Sequence, residues 1–387
     1  MFCVLHRKVL NNLHQKTIIN TKLLIMKFKN LLTLAVVTLT LFMTSCDKEN
    51  GNRSNIIPTK FKVDIPNSIS NASGSRAASS DTIKGEVIYD HMGNFIHIGE
   101  AAADVVQDIM IAIARYDLSQ AVSFTYTSDE DGKEKDVVVI EGASFEGVNY
   151  EYRLTLSDME SVGNDDEGKA IQIFWNTNPV KGIALLKPSN INEKDRTHEN
   201  AIYKIEYSEA GELGYDAHMV VSIADLSLAS PLDDPYSVSG LKMFVGAKGS
   251  IIDVYGNSAH PNATFFDSSK GFNWAFVASG DENKDIAVAE VGLPSNELES
   301  TDRGIILEDN SIKNVFTNQI LSLWPTLTDS VVDAYLTNTQ APAYFDANGF
   351  IQAGSSPSQE YSTLEANIET LIPYSPKTVS ELTLDFQ

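Results

Sequence analysis

The chain holds two cysteines in 387 residues, Cys3 and Cys46, and none after position 46. A body folded from the later residues therefore has no internal disulfide, no thiolate nucleophile and no Cys-ligated metal, and must rest on a packed core. Basic residues are also scarce. Six of the 29 Lys+Arg and none of the 52 Asp+Glu fall in residues 1–45, so residues 46–387 carry 23 basic and 52 acidic side chains, a net charge of −29. Such a surface repels nucleic acid and anionic headgroups, and no nucleic-acid partner is expected. The seven histidines show no His-Glu-x-x-His spacing. A Gly-x-Ser-x-Gly elbow and a phosphate-cradling P-loop are both missing. No metal and no cofactor is expected. A glycosidase-type carboxylate pair cannot be picked from so many acids, and binding is favoured over catalysis.

What is present begins with an apolar run, Leu31–Met43 (LLTLAVVTLTLFM), preceded by Met26-Lys27-Phe28-Lys29-Asn30. The run is short of the roughly 20 apolar residues a spanning helix needs. A basic start, an apolar core and small residues before a cleavage point make a secretory signal. Thr44-Ser45-Cys46 resembles the lipobox of bacterial lipoproteins, with Met43 where leucine is commonest. Asp47-Lys48-Glu49 after the cysteine looks like lipoproteins of the Bacteroidota. The resemblance covers about 25 residues. It implies a diacylglycerol on Cys46, an N-acyl chain such as palmitate, and attachment to the outer membrane. Display on the cell surface is expected, with the periplasmic face as the alternative. Several acyl chains hold far more firmly than one. Met26 gives a signal of ordinary proportions, so residues 1–45 are read as leader and signal peptide.

Residues 46–80 are rich in Asn, Ser and Gly and read as a flexible tether, with a short alternating stretch at Thr59–Ile65. The body, residues 81–300, reads as mainly β, an antiparallel barrel or sandwich. Short strands are expected at 83–89 and 94–98. Residues 100–116 then show apolar positions at 102, 105, 106, 109, 110 and 113, the spacing of one long amphipathic helix. From there to 291 the chain alternates. Strands are expected at 121–127, 136–141, 148–156, 170–175, 180–186, 201–207, 217–224, 240–246, 250–255, 272–278 and 285–291, parted by acidic or glycine-bearing turns. Residues 301–387 form a helical C-terminal region, a cap or small subdomain, with helices at 311–324, 327–336 and 361–372. A loop is expected at 338–360 and an edge strand at 379–386.

The acidic turn Asp129-Glu130-Asp131-Gly132 invites a calcium reading, but Thr127 stands where the first ligand of an EF-hand-type loop belongs. A solvated hairpin turn is the plainer reading, as it is for Asp165–Gly168 and Asp281–Asn283. Asp216 and His218 are spaced to share one strand face, as a base or ligand pair; a structural histidine is the plainer reading. His260 sits with Tyr255 in a stretch read as a loop, 255–262. Trp175 beside Asn176 pairs an aromatic ring with an amide, as sugar-binding surfaces do, although aromatics also fill β cores. Phe272 and Phe276 are read as core. The ligand-binding candidates are thus Trp175, Asn176, Asp216, His218, Tyr255 and His260. Three functions follow: binding of a glycan or small apolar molecule, assembly with a protein partner, and a carboxylate-based hydrolase.

Overall fold

The structure is a computed structural model that describes residues 56–70, 83–114, 122–230, 236–263 and 271–387. The expected signal segment, Met26 and Cys46 lie outside these residues. The described residues fall into two compact units. One takes Asp64–Glu100 and Leu228–Leu382, the other the residues up to Val63, Ala101–Ser227 and Thr383–Gln387.

In the second unit seven strands follow one another in chain order: β2 (Val122–Thr127), β3 (Glu134–Phe145), β4 (Val148–Asp158), β5 (Lys169–Thr177), β6 (Val180–Leu186), β7 (Ile202–Ser208) and β8 (Ala217–Ala224). Each pairs antiparallel with the next. One sheet face carries Ile173, Trp175, Ala184, Ile205, Tyr207, Met219 and Val221, all buried. Onto this unit pack residues 56–63. Phe61 is fully buried and lies against Tyr207, ring centroids 5.4 Å apart. It also covers Gly182, where a Cβ would stand 2.3 Å from the Phe174 carbonyl and 2.8 Å from the Phe61 ring. Within the span expected to be tether, the apolar residues of 56–63 therefore join the core, while Thr59 and Lys60 stay exposed. Their few apolar side chains (Ile56, Ile57, Phe61, Val63) all find burial, which offsets the entropy of ordering them.

In the first unit the strands are β9 (Gly240–Lys248), β10 (Ile251–His260), β11 (Phe272–Asp281), β12 (Ile286–Gly292), β14 (Ala343–Asp346) and β15 (Gly349–Ala353), again antiparallel. A two-residue parallel ladder joins β1 (Ile83–Lys84) to β13 (Leu336–Thr337). No ladder among the described residues closes either run of strands on itself, so the barrel expectation is not met. The fold is an open, multi-stranded antiparallel sheet arrangement with helices in its C-terminal region.

A short helix, α1 (Asn67–Ser70), precedes α2 (Gly85–Ala114). The strands expected at 83–89 and 94–98 are instead the first half of α2. From Ile88 to Ile96 every residue is buried, so this section has no solvent face and shows no helical period in its sequence. Its two-faced character, read from 100–116, does not describe the helix as a whole. Gly85 starts α2 where a Cβ would be 1.7 Å from the Asn338 carbonyl oxygen. No helix among the described residues is long and apolar enough to cross a membrane.

The C-terminal region lies on the outer face of β11 and β12. Ile306, Leu307, Tyr361, Leu364, Ile368 and Leu371 pack with Ala275, Val277, Ile286 and Val288. Helices α4 (Ile312–Leu323), α5 (Asp329–Tyr335), α6 (Ser362–Ile368) and α7 (Pro376–Ser380) belong to it, with α3 (Pro188–Ile191) in the other unit. The stretch 338–360, expected as loop, contains the β14–β15 hairpin, and the tail from 379 carries the end of α7 rather than an edge strand.

Candidate functional site

The sequence candidates divide, four in one unit and two in the other. Trp175 is fully buried on β5. Its indole N–H donates to the Ile56 carbonyl at 2.7 Å and its ring stacks on Tyr152 at 5.5 Å. It is a core residue and offers no sugar platform, because Ile56 and its neighbours cover it. Asn176 is half-buried and accepts from the Glu151 amide at 2.9 Å. Asn176 pairs in register with Lys181, Lys181 with Ser208, and Ser208 with His218. The two candidates thus share one cross-strand row. At about 4.8 Å per strand they stand roughly 14 Å apart, too far for one small ligand. Between them Lys181 is held by Glu212 at 2.8 and 3.1 Å, and Ser208 donates to the same carboxylate at 3.0 Å. Burial holds the His218 pKa below its ordinary value, with the Glu212 charge opposing. Asp216 is exposed just before β8 begins, and so does not join His218 on the strand.

His260 ends strand β10; the expected loop 255–262 is strand up to this residue. The imidazole is fully buried. Nε2 meets the Ser258 hydroxyl and Nδ1 the Tyr236 carbonyl, both at 2.8 Å. Phe95, Trp274 and Phe272 surround it, with ring centroids 4.9, 5.1 and 6.2 Å away. Burial holds its pKa down to about 3. A neutral, doubly hydrogen-bonded, sealed imidazole fixes the packing of α2 on the sheet and is not a proton shuttle.

The acidic turns are exposed at Asp129, Asp165, Glu167, Glu282 and Asn283, but Asp131 in the first is buried. Lys135 is 1% exposed, and its ammonium bonds Asp131 at 2.9 Å, the Asn190 carbonyl at 2.9 Å, and Asp158. The cation that Asp131 meets is this lysine's own. Burial pushes the Asp131 pKa up, but bonds from Lys135 and from the Lys133 and Glu193 amides outweigh it and hold the pKa below the ordinary value. Asp166 is likewise bonded by Lys187 and by the Asn190 amide, at 2.6 and 2.9 Å. Glu130 differs. Burial first, and then the Asp131 charge, push its pKa up to about 7. Its folded pKa lies above its unfolded one, so its contribution to stability is fully present below about pH 4.5 and is lost as pH rises through 7. Glu130→Gln should remove that part of the slope of unfolding free energy between pH 4.5 and 7, measured by urea titration. An unchanged slope would show that Glu130 titrates as an ordinary surface acid.

Tyr255 is less enclosed than Trp175 and His260. It is half-buried on the outer face of β10, stacked on Phe244 (4.8 Å, 15°) and tilted against Tyr374 (5.5 Å). Lys242 places its ammonium 4.7 Å from the Tyr374 ring centroid. In register, Phe244 opposes Tyr255 and Lys242 opposes Asn257, so these four side chains form one block on β9 and β10. Tyr255 and His260, an odd number of residues apart, point to opposite faces of the sheet. Sequence reasoning passed over Asn257 and Asn273, both fully buried in this region. No local signal marks them, because their strands also carry Asp253, Ser258, Ser279 and Asp281. Comparison of the chain with family models, with curated proteins and with solved structures returned no match in any of the three.

Proposed function

We propose that the chain is a lipid-anchored protein of the bacterial cell envelope, held at Cys46 to the outer membrane and displayed on the cell surface. In this reading it binds a ligand without transforming it, and the ligand is a glycan in preference to a small apolar molecule. The lipobox resemblance supports the anchor. The Phe244–Tyr255–Tyr374 block beside the Asn257 and Asn273 amides supports the ligand class, since aromatic faces next to amides suit the mixed CH and OH surface of sugars. We further take the architecture as layered, with packed sheet faces, as in a sandwich.

Two measurements test this reading. Native mass spectrometry of the full lipoprotein, extracted gently from its own envelope, should show a mass excess that vanishes on denaturation; its absence would count against a resident ligand. Tyr255→Ala should weaken retention on a glycan array by about two- to tenfold, the worth of one aromatic contact. Undiminished binding would remove the block from the site.

Assembly with a protein partner is the second reading. Leu323, Trp324, Val331 and Tyr335 stand exposed at 40–53% on α4, α5 and their junction, a larger apolar surface than scattered residues make. Crosslinking that captures one stoichiometric partner through this hairpin would favour it. A carboxylate hydrolase with acids drawn from distant strands is the third reading.

A further inference from the structure

We propose that Asn257 and Asn273 read a vicinal diol of a sugar ring beneath a C-terminal strap, residues 373–382, that must lift to admit it. The inference rests on the glycan reading above and deepens it. Asn257 is fully buried, yet neither its amide oxygen nor its amide nitrogen has a hydrogen-bond partner. A buried amide left without partners keeps the full cost of its lost hydration. Elsewhere on this sheet face Asp253 and Ser279 are paired. Ser279 donates to Asp253 at 2.6 Å, and Asn367 donates to Ser279 at 3.3 Å. Asn273 donates to Asn296 and to Ser380, the latter at 3.0 Å, but its own oxygen has no partner. The Ser375 hydroxyl also has none.

These groups converge. Asn257 opposes Ala275 on β11, two residues from Asn273, which makes the two amides diagonal neighbours on one face. Helix α7 lies across β9, β10 and β11 above them. A side-chain amide offers one acceptor and one donor side by side, the complement of two hydroxyls on adjacent carbons. The second amide oxygen adds an acceptor for a further hydroxyl. An anion is disfavoured, because both amide oxygens lie unpartnered there and the Lys242 ammonium sits over Tyr374. Tyr255 supplies an apolar face at the rim. The strap is held partly by the exposed pair Lys377–Glu299 (3.0 Å) and by the Lys377 amide on the Leu298 carbonyl (3.0 Å). The exposed ion pair holds weakly, while Pro376 and Val379 are buried beneath α7, so lifting the strap also uncovers apolar surface.

The test is titration calorimetry of the full protein with mannose, galactose and glucose and with their 2-deoxy counterparts. One parent sugar should bind saturably, and removing its 2-hydroxyl should cost at least tenfold in affinity. Asn257→Leu, of similar shape, should lose binding at least tenfold while unfolding at a higher urea concentration than the wild type. Asn257→Asp, which keeps the shape but loses the donor, should also lose binding. A leucine variant that is less stable, or that binds as well as the wild type, would overturn the proposal by showing the amide bonded within the ligand-free protein. Failure of every sugar to bind would overturn the diol assignment. A mass excess in the native spectrum would then still stand for a ligand of another class, and so separates the two failures.

Discussion

Replacing Lys135 with methionine is expected to cost about 3–5 kcal/mol of folding stability, the range for breaking a buried ion pair from one side. The ammonium is nearly inaccessible, and both its carboxylate partners are buried with it. Asp158 cannot turn to water, because its other oxygen accepts from the Glu160 and Ser161 amides at 2.9 and 3.1 Å. Removing the cation therefore leaves two negative charges in a poorly solvated pocket. The loss should appear as a lower urea midpoint at pH 7. It should shrink at acid pH, because the wild type there loses the stability that Lys135 supplies by holding the Asp131 pKa below its ordinary value. Adding Asp158→Asn to the variant should recover part of the stability, since one of the orphaned charges is gone. A loss below about 1 kcal/mol would mean that the trio is wetted like a surface pair.

This trio also shows where sequence reading reached its end. The turn Asp129–Gly132 and the strands on either side of it were legible, because alternation and turn chemistry are local. That Lys135 folds back on Asp131 and reaches Asp158 and Asn190 is a tertiary fact with no local signal. All eleven strands expected between 121 and 291 exist, most running one to five residues beyond their expected ends. The helix over 85–99 was missed for a physical reason: a helix buried on all sides has no polar stripe, and its β-branched and aromatic residues then resemble strands. The β14–β15 hairpin hid within a Gly-, Pro- and Ser-rich stretch because its strands are only four and five residues long. Of the candidate site, Tyr255 was legible as a ring near polar residues. Asn257 was not, since its meaning depends on being buried without a partner. Trp175 failed for the same cause in reverse: a ring next to Asn176 and Thr177 reads as a rim residue until residues 56–63 are seen to cover it.

Trp175→Ala therefore separates the two accounts of that residue. As a sugar platform, Trp175 would give up binding and leave stability unchanged. As the structure has it, the substitution empties a fully enclosed site, and such Trp-to-Ala changes cost about 3–5 kcal/mol. The Ile56 carbonyl would lose its indole donor as well. Trp175→Phe keeps most of the ring and should cost about 1–3 kcal/mol, mainly for that orphaned carbonyl. The alanine variant should also release residues 56–63, seen as faster protease cleavage near Phe61 at urea concentrations that leave the wild type intact. The consequence reaches the proposed anchor. With Ile56 packed under Trp175, ten residue steps connect it to Cys46, which at full extension span at most about 35 Å. A lipid on Cys46 would then hold the folded body close to the bilayer, and loosening Trp175 would lengthen the reach. Fluorescence energy transfer from a dye on the body to labelled lipid should fall in Trp175→Ala. Equal transfer and an unchanged cleavage pattern would show that residues 56–63 are not held by this side chain.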